Sequence, residues 1–165
     1  MTVLSTLQNV SGCAGGQAIY ASAKASCLVL NAQRERRKLW SNTRSVMQMY
    51  FPKLDLTKVR CCINCTLPGN WFTSAKWVAA MTFGYTIYFD DSDVQKTHAG
   101  LKLLMHELVH VDQVRRLGGE SAFACAYGKG YLKAGSYRQN ALEVEAYDFV
   151  TKHGNSLPAS QTNPG

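Results

Sequence analysis

The chain predicts an α+β domain, because its strand-forming segments come first and its long helices follow. Three observations carry this. LTKVRCCINC (56–65) and TFGYTIYF (82–89) are rich in β-branched and aromatic residues. A helical apolar pattern then runs from about Val94 to Arg116 and stops at Gly118-Gly119. With 165 residues and 46% hydrophobic content, the chain can bury one core as a single domain.

The elements follow in order. Residues 1–30 mix small and apolar residues and allow a helix over 17–30. Leu39, Val46, Met47 and Tyr50 recur at near-helical spacing, which predicts a helix over 31–50, ended by Pro52. LPGN at 67–70 reads as a turn. WFTSAKWVAAMTFGYTIYF reads as two more strands, the second being TFGYTIYF. Ser92 or Asp93 is placed to cap the next helix. Further helices are expected over 120–134 and 139–152. The domain is bounded at 1–152, with a helical part over about 1–52 and a core over about 57–150; the polar, proline-containing residues 153–165 form a flexible tail.

Composition narrows the function classes. No apolar run is long enough to span a membrane. The N-terminus lacks the basic and apolar regions of a standard secretion signal, so the expectation is a cytoplasmic protein or one secreted by another route. Much of the net charge of +7 sits in RERRK (34–38), read as a solvated helix face; no nucleic-acid motif accompanies it. CCINC (61–65) holds one CxxC without the second pair a structural zinc knot needs, so the six cysteines read mainly as structural thiols, with a disulfide as the lesser reading.

MHELVHVDQ (105–113) carries the chemistry. On a helical wheel His106 and His110 fall about 40° apart, opposite Leu101, Leu104, Met105, Leu108 and Val111. One helical turn brings two neutral imidazoles to a common point, which is what zinc requires. Glu107 lies at the margin of that face, where a carboxylate can act as general base. The bland reading is a surface helix with incidental histidines.

A third ligand is sought in NALEVEAYDF (140–149). Glu143 and Glu145 flank the apolar face and lie about 200° apart, so only one can point at a metal. Tyr147 and Val144 broaden the apolar face toward Glu143, a slight lean that periodicity does not settle. The other glutamate, or Asp148, would orient a histidine ring. His98 and His153 are poorer ligands, one at the far end of the motif helix and one at the tail.

HELVH followed by a helical E-x-x-A, here Glu143 to Ala146, resembles the gluzincin branch of zinc metallopeptidases, in which a glutamate on a second helix is the third ligand. The resemblance selects Glu143. More narrowly, AMTFGYTIYF before LKLLMHELVHVDQ resembles small bacterial metallopeptidase-like domains of the eCIS-core type, over about 57–150. It implies a minimal zincin-like domain: a small mixed sheet with an edge strand packed on the HExxH helix, and a C-terminal helix bearing the glutamate. It implies zinc held by His106, His110 and Glu143, with Glu107 as base. Two departures stand out. The N-E-x-x-x-D pattern is absent around Glu143, and no separate C-terminal domain supplies a transition-state histidine, a role that Tyr137 or Tyr147 could fill.

The implied activity is zinc-dependent peptide hydrolysis on a protein or peptide substrate. Phe83, Gly84 and Tyr85 are expected to meet that substrate, with Gly84 allowing close backbone approach along an edge strand. Two other readings compete. One is a catalytically silent zinc-binding scaffold that docks another protein. The other is a nucleic-acid-directed protease, which rests on the charge alone.

Overall fold

In the computed structural model, residues 3–68 and 78–162 are described, except for the side chains of residues 3–10. Most of the first strand expected within 71–89, and half of the turn expected at 67–70, lie outside the described residues. The rest is an α+β fold. In chain order it runs α1 (Val3–Leu30), β1 (Arg37–Lys38), α2 (Ser41–Tyr50), β2 (Arg60–Cys62), β3 (Ala80–Phe83), β4 (Thr86–Phe89), α3 (His98–Leu117), α4 (Glu120–Ala134) and α5 (Ala141–His153). No described helix is long and apolar enough to cross a membrane.

The sheet has the order β1-β2-β4-β3 and is mixed: β2 runs parallel to β4, and the other pairs are antiparallel. Strand alternation sends its side chains to two cores. Cys61, Ile87 and Phe89 join Leu101, Leu104, Met105 and Leu108 of α3 in the larger core. Cys62, Phe83 and Tyr88 join Ala23 and Cys27 of α1 in the smaller one. The sheet is therefore covered by α3 on one face and by α1 on the other.

Several boundaries differ from the expectation for local reasons. The helix expected over 31–50 is two elements. Asn31 ends the first: its Nδ2 donates to Cys27 O (2.9 Å) and Thr66 O (2.9 Å), and its Oδ1 accepts from Thr66 N. Arg37 and Lys38 then pair with β2, so RERRK is a turn and a sheet edge rather than a helix face. The strand expected over 56–65 shrinks to three residues, because Leu56 and Val59 pack into the core from a loop and Asn64 turns the chain at φ 53°. TFGYTIYF is not one strand but a hairpin, turned at Gly84 with φ +60°, a conformation that favours glycine.

Helix α3 starts later than expected. Thr97, not Ser92 or Asp93, caps it by accepting from Gly100 N (3.0 Å), an interaction worth about 1 kcal/mol. Asp93 is engaged elsewhere, by Lys96 and Ser92. Gly118 closes the helix with φ 92°. The expected flexible tail is docked: Leu157 is buried, Thr97 bridges Ser160, and Gln161 N donates to Lys96 O (2.8 Å).

Helix α1 lies against α4 with little room between the backbones. A Cβ on Gly16 would sit 2.3 Å from Ala124 O, and one on Gly128 would sit 2.2 Å from Gly12 O. Beside this contact Cys13 and Cys125 form a disulfide across a sequence separation of 112, and a second disulfide joins Cys62 to Cys65. Reading the cysteines mainly as thiols is therefore corrected. Nothing in the spacing of Cys13 and Cys125 announces their pairing; the crossing of two helices creates it. Cys27 and Cys61 remain thiols, and burial pushes them up to about 11 and about 12.

Candidate metal centre

Helix α3 brings His106 and His110 to one point, as the i, i+4 spacing predicts. Their Nε2 atoms lie 3.1 Å apart. The helix is not half exposed, however. Its apolar side packs on the sheet, and the histidine side is covered by α4 and α5, leaving His106 and His110 only 7% and 6% exposed. The histidines lie under a second helical layer rather than on an open face.

Helix α5 presents Glu143 to them. Asn140 caps this helix by accepting from Leu142 N, which places Glu143 in the first turn. The Glu143 carboxylate spans the histidine pair, with Oε2 at 3.2 Å from His106 Nε2 and Oε1 at 3.4 Å from His110 Nε2. It is 2% exposed, whereas Glu145 is at the surface. Among the described residues, His106, His110 and Glu143 are the group of three side chains able to hold a metal ion. Glu143 Oε2 is buried and accepts no hydrogen bond, despite its closeness to His106. Buried carboxylate oxygens are rarely left so, and a cation between these three side chains would satisfy it.

The charges are strongly coupled. Burial alone would lower the His110 pKa. The Glu143 hydrogen bond, the Glu107 and Glu143 charges and Gln113 outweigh it and carry His110 up to about 9. Burial alone would likewise raise Glu143. Its close contacts with His106 and His110, the His110 charge and the Tyr127 hydroxyl hold it well below the usual carboxylate range. Glu143 is therefore an anion, and in the metal-free chain it faces protonated His110.

Glu107 is buried beside this group and accepts from Thr82 Oγ1 at 2.7 Å. Thr82 belongs to β3, the outer strand at this end of the described sheet, so the strand and the carboxylate are directly tied. Tyr137 lies near both carboxylates. Burial first, then Glu143 and Glu107, raise its phenol above the ordinary range, although 44% of the residue is exposed. Tyr147 packs against His106 with ring centroids 4.7 Å apart and the rings tilted by 58°.

The three residues expected to meet substrate are placed otherwise. Phe83 is buried on the far face of the sheet against Tyr20 and Tyr88. Gly84 forms the hairpin turn, where its N–H donates to the Tyr20 hydroxyl and its open side meets Glu120. Tyr85 is half buried against the larger core. Gly84 thus serves approach by α1 and α4, not by an outside strand. Asp148 is exposed and lines, with Val144, Glu145 and Phe149, an open depression of ≈ 530 Å³ that contains no ligand residue. Neither Asp148 nor Glu145 touches a ligand histidine. His98 is bonded to Pro158 O through Nδ1, and His153 packs against Tyr50 and Phe149, so neither joins the centre.

Three site residues are not foreseen. Gln113 meets His110 Nδ1 at 2.8 Å; its place three residues on along the same helix was a usable signal. Thr82 was legible only by strand alternation, once the hairpin turn is located. Tyr127 donates to Glu143 Oε1 at 2.8 Å from α4, and no local pattern points to it.

Residues 40–118 match the sequence model of the eCIS core domain. The match takes in α2, β2 to β4 and α3, with His106, Glu107 and His110, and it ends before Glu143. It starts earlier and stops sooner than the span of about 57–150 expected from the motifs. No curated protein and no solved structure matches the chain.

Proposed function

We propose that the chain is a zinc-dependent metallopeptidase of the gluzincin kind. One observation carries the reading: His106 Nε2 and His110 Nε2 lie 3.1 Å apart, and the buried Glu143 carboxylate spans them, with Oε2 at 3.2 Å from the first and Oε1 at 3.4 Å from the second. Zinc bonds of about 2.0–2.1 Å put neighbouring atoms of a tetrahedron about 3.3–3.4 Å apart, and the histidine pair and each of its contacts with Glu143 lie near that spacing. Three protein ligands leave a fourth position, the arrangement of catalytic rather than structural sites.

His106, His110 and Glu143 would hold the ion. When bound there, zinc polarises a carbonyl and acidifies water. Glu107 takes up the proton and returns it to the leaving amine; Thr82 holds the carboxylate in place through Oε2. Tyr137, beside Glu143 and Glu107, donates its phenolic hydrogen to the developing oxyanion. An extended protein or peptide substrate would pair with β3 along Ala80–Thr82 rather than at the hairpin turn.

A zinc-holding scaffold without turnover is the second reading, and the depth of the ligand side chains favours it. The basic run gives no support to a nucleic-acid-directed protease. It sits around β1, the edge of the sheet opposite β3. The test is metal content of the purified chain, followed by cleavage of a broad peptide library by wild type and by Glu107→Gln. Bound zinc with cleavage lost in Glu107→Gln supports the peptidase; bound zinc with no cleavage by wild type supports the scaffold.

A further inference from the structure

We infer that Gln113 is a positioning residue: it fixes the metal-binding tautomer of His110 and locks the two ligand-bearing helices together. The inference rests on the reading of the site as a metal centre. Gln113 is 0% exposed, and each of its polar atoms is used. Its Nε2 donates to Leu142 O at 2.9 Å and to Glu145 Oε2 at 3.0 Å. A backbone carbonyl and a carboxylate are acceptors only. Turning the amide round would set its oxygen against both of them.

Gln113 Oε1 must therefore face His110 Nδ1, at 2.8 Å, and that contact is a hydrogen bond only when Nδ1 carries the proton. An imidazole protonated at Nδ1 keeps its lone pair on Nε2, the atom 3.1 Å from His106 Nε2 and 3.4 Å from Glu143 Oε1. The acceptors on α5 thus dictate which nitrogen of a histidine on α3 can bind a metal.

The same amide sets the position of the third ligand. Leu142 immediately precedes Glu143, so the bond to its carbonyl fixes the first turn of α5 at the level of His110. Glu145 carries the link outward to Arg116, which pairs with Asp112 on α3. A carboxylate at position 113 would orient the ring too, but it would add a further negative charge beside Glu145.

The test uses the full chain loaded with zinc. Nitrogen–proton correlation of the His110 ring in wild type should show the proton on Nδ1, exchanging slowly with water, and none on Nε2. Gln113→Leu should weaken zinc binding ~10–100-fold against a chromophoric chelator, the range for loss of an outer partner, and the ring proton should exchange quickly. Glu145→Gln should stay within about threefold of wild type, because Gln113 keeps the Leu142 carbonyl and an amide oxygen in reach. A proton on Nε2 in zinc-loaded wild type overturns the inference, as does wild-type affinity in Gln113→Leu. Where the leucine variant does not fold, the wild-type spectrum decides. A wild type that takes up no zinc defeats the metal-centre reading itself and this inference with it, a result distinct from the other two.

Discussion

Glu143→Gln separates a metal ligand from a packing residue. The glutamine keeps the shape of the side chain, and its oxygen can still accept from Tyr127, which now donates at 2.8 Å. It removes the charge facing His106 at 3.2 Å and His110 at 3.4 Å. Losing a partner outside the ligand set costs ~10–100-fold in metal affinity, or about 1.4–2.8 kcal/mol. A true ligand should exceed that, so zinc binding should weaken more than ~100-fold. Glu145→Gln should stay within about threefold of wild type, because Glu145 reaches the centre through Gln113. The metal-free protein offers a second readout. Breaking a buried ion pair costs ~3–5 kcal/mol when a charge is stranded, but His110 can shed its proton, so the loss should be smaller and should vanish at high pH. Chelator competition for zinc and denaturant unfolding without metal measure the two effects. Equal zinc affinity in wild type and Glu143→Gln, or a larger loss in Glu145→Gln, would refute the ligand assignment.

Glu107→Gln should leave zinc bound and lower peptide cleavage by at least ~10²–10⁴-fold; a comparable rate in zinc-loaded wild type and variant removes Glu107 as the base. Metal-free stability should depend on pH in a definite direction. His110, raised from 6.5 to about 9, stabilises fully below 6.5 and ceases to do so as pH rises through about 9; Glu143, depressed from 4.5, stabilises above 4.5 and loses this as pH falls. The maximum therefore lies between those unfolded values, and zinc affinity should climb up to pH about 9 as the His110 proton is displaced; titrations without and with zinc check both. Cys13→Ser should cost ~2–5 kcal/mol, lowering the melting temperature on the order of 10 °C, because the disulfide closes a separation of 112; thermal melts of wild type and variant in oxidising buffer check this. Gly128→Ala should destabilise by ~1–3 kcal/mol in denaturant, since the added methyl meets the backbone of α1.

By itself the sequence determined what repeats locally. His106 and His110 share a point because helical geometry fixes residues four apart, and any helix there would bring them together. The α+β class follows from the order of strand-rich and helix-rich segments. The stop of α3 follows from Gly118, which accepts φ 92° without strain. Glu143 was only half legible: the wheel left it beside Glu145, and the family resemblance chose it. Packing of α5 on α3 buries one and exposes the other, a decision made across about thirty residues of chain. Tertiary structure alone placed Tyr127 on Glu143, Thr82 on Glu107 and Cys13 on Cys125, each from a different element. It also broke the helix expected over 31–50, because Asn31 found partners near residue 66 that no local pattern contains. Periodicity records which face of an element is apolar. Which partner covers that face, and which polar group is caught between them, depends on contacts distant in sequence, whose ordering only the folded chain supplies.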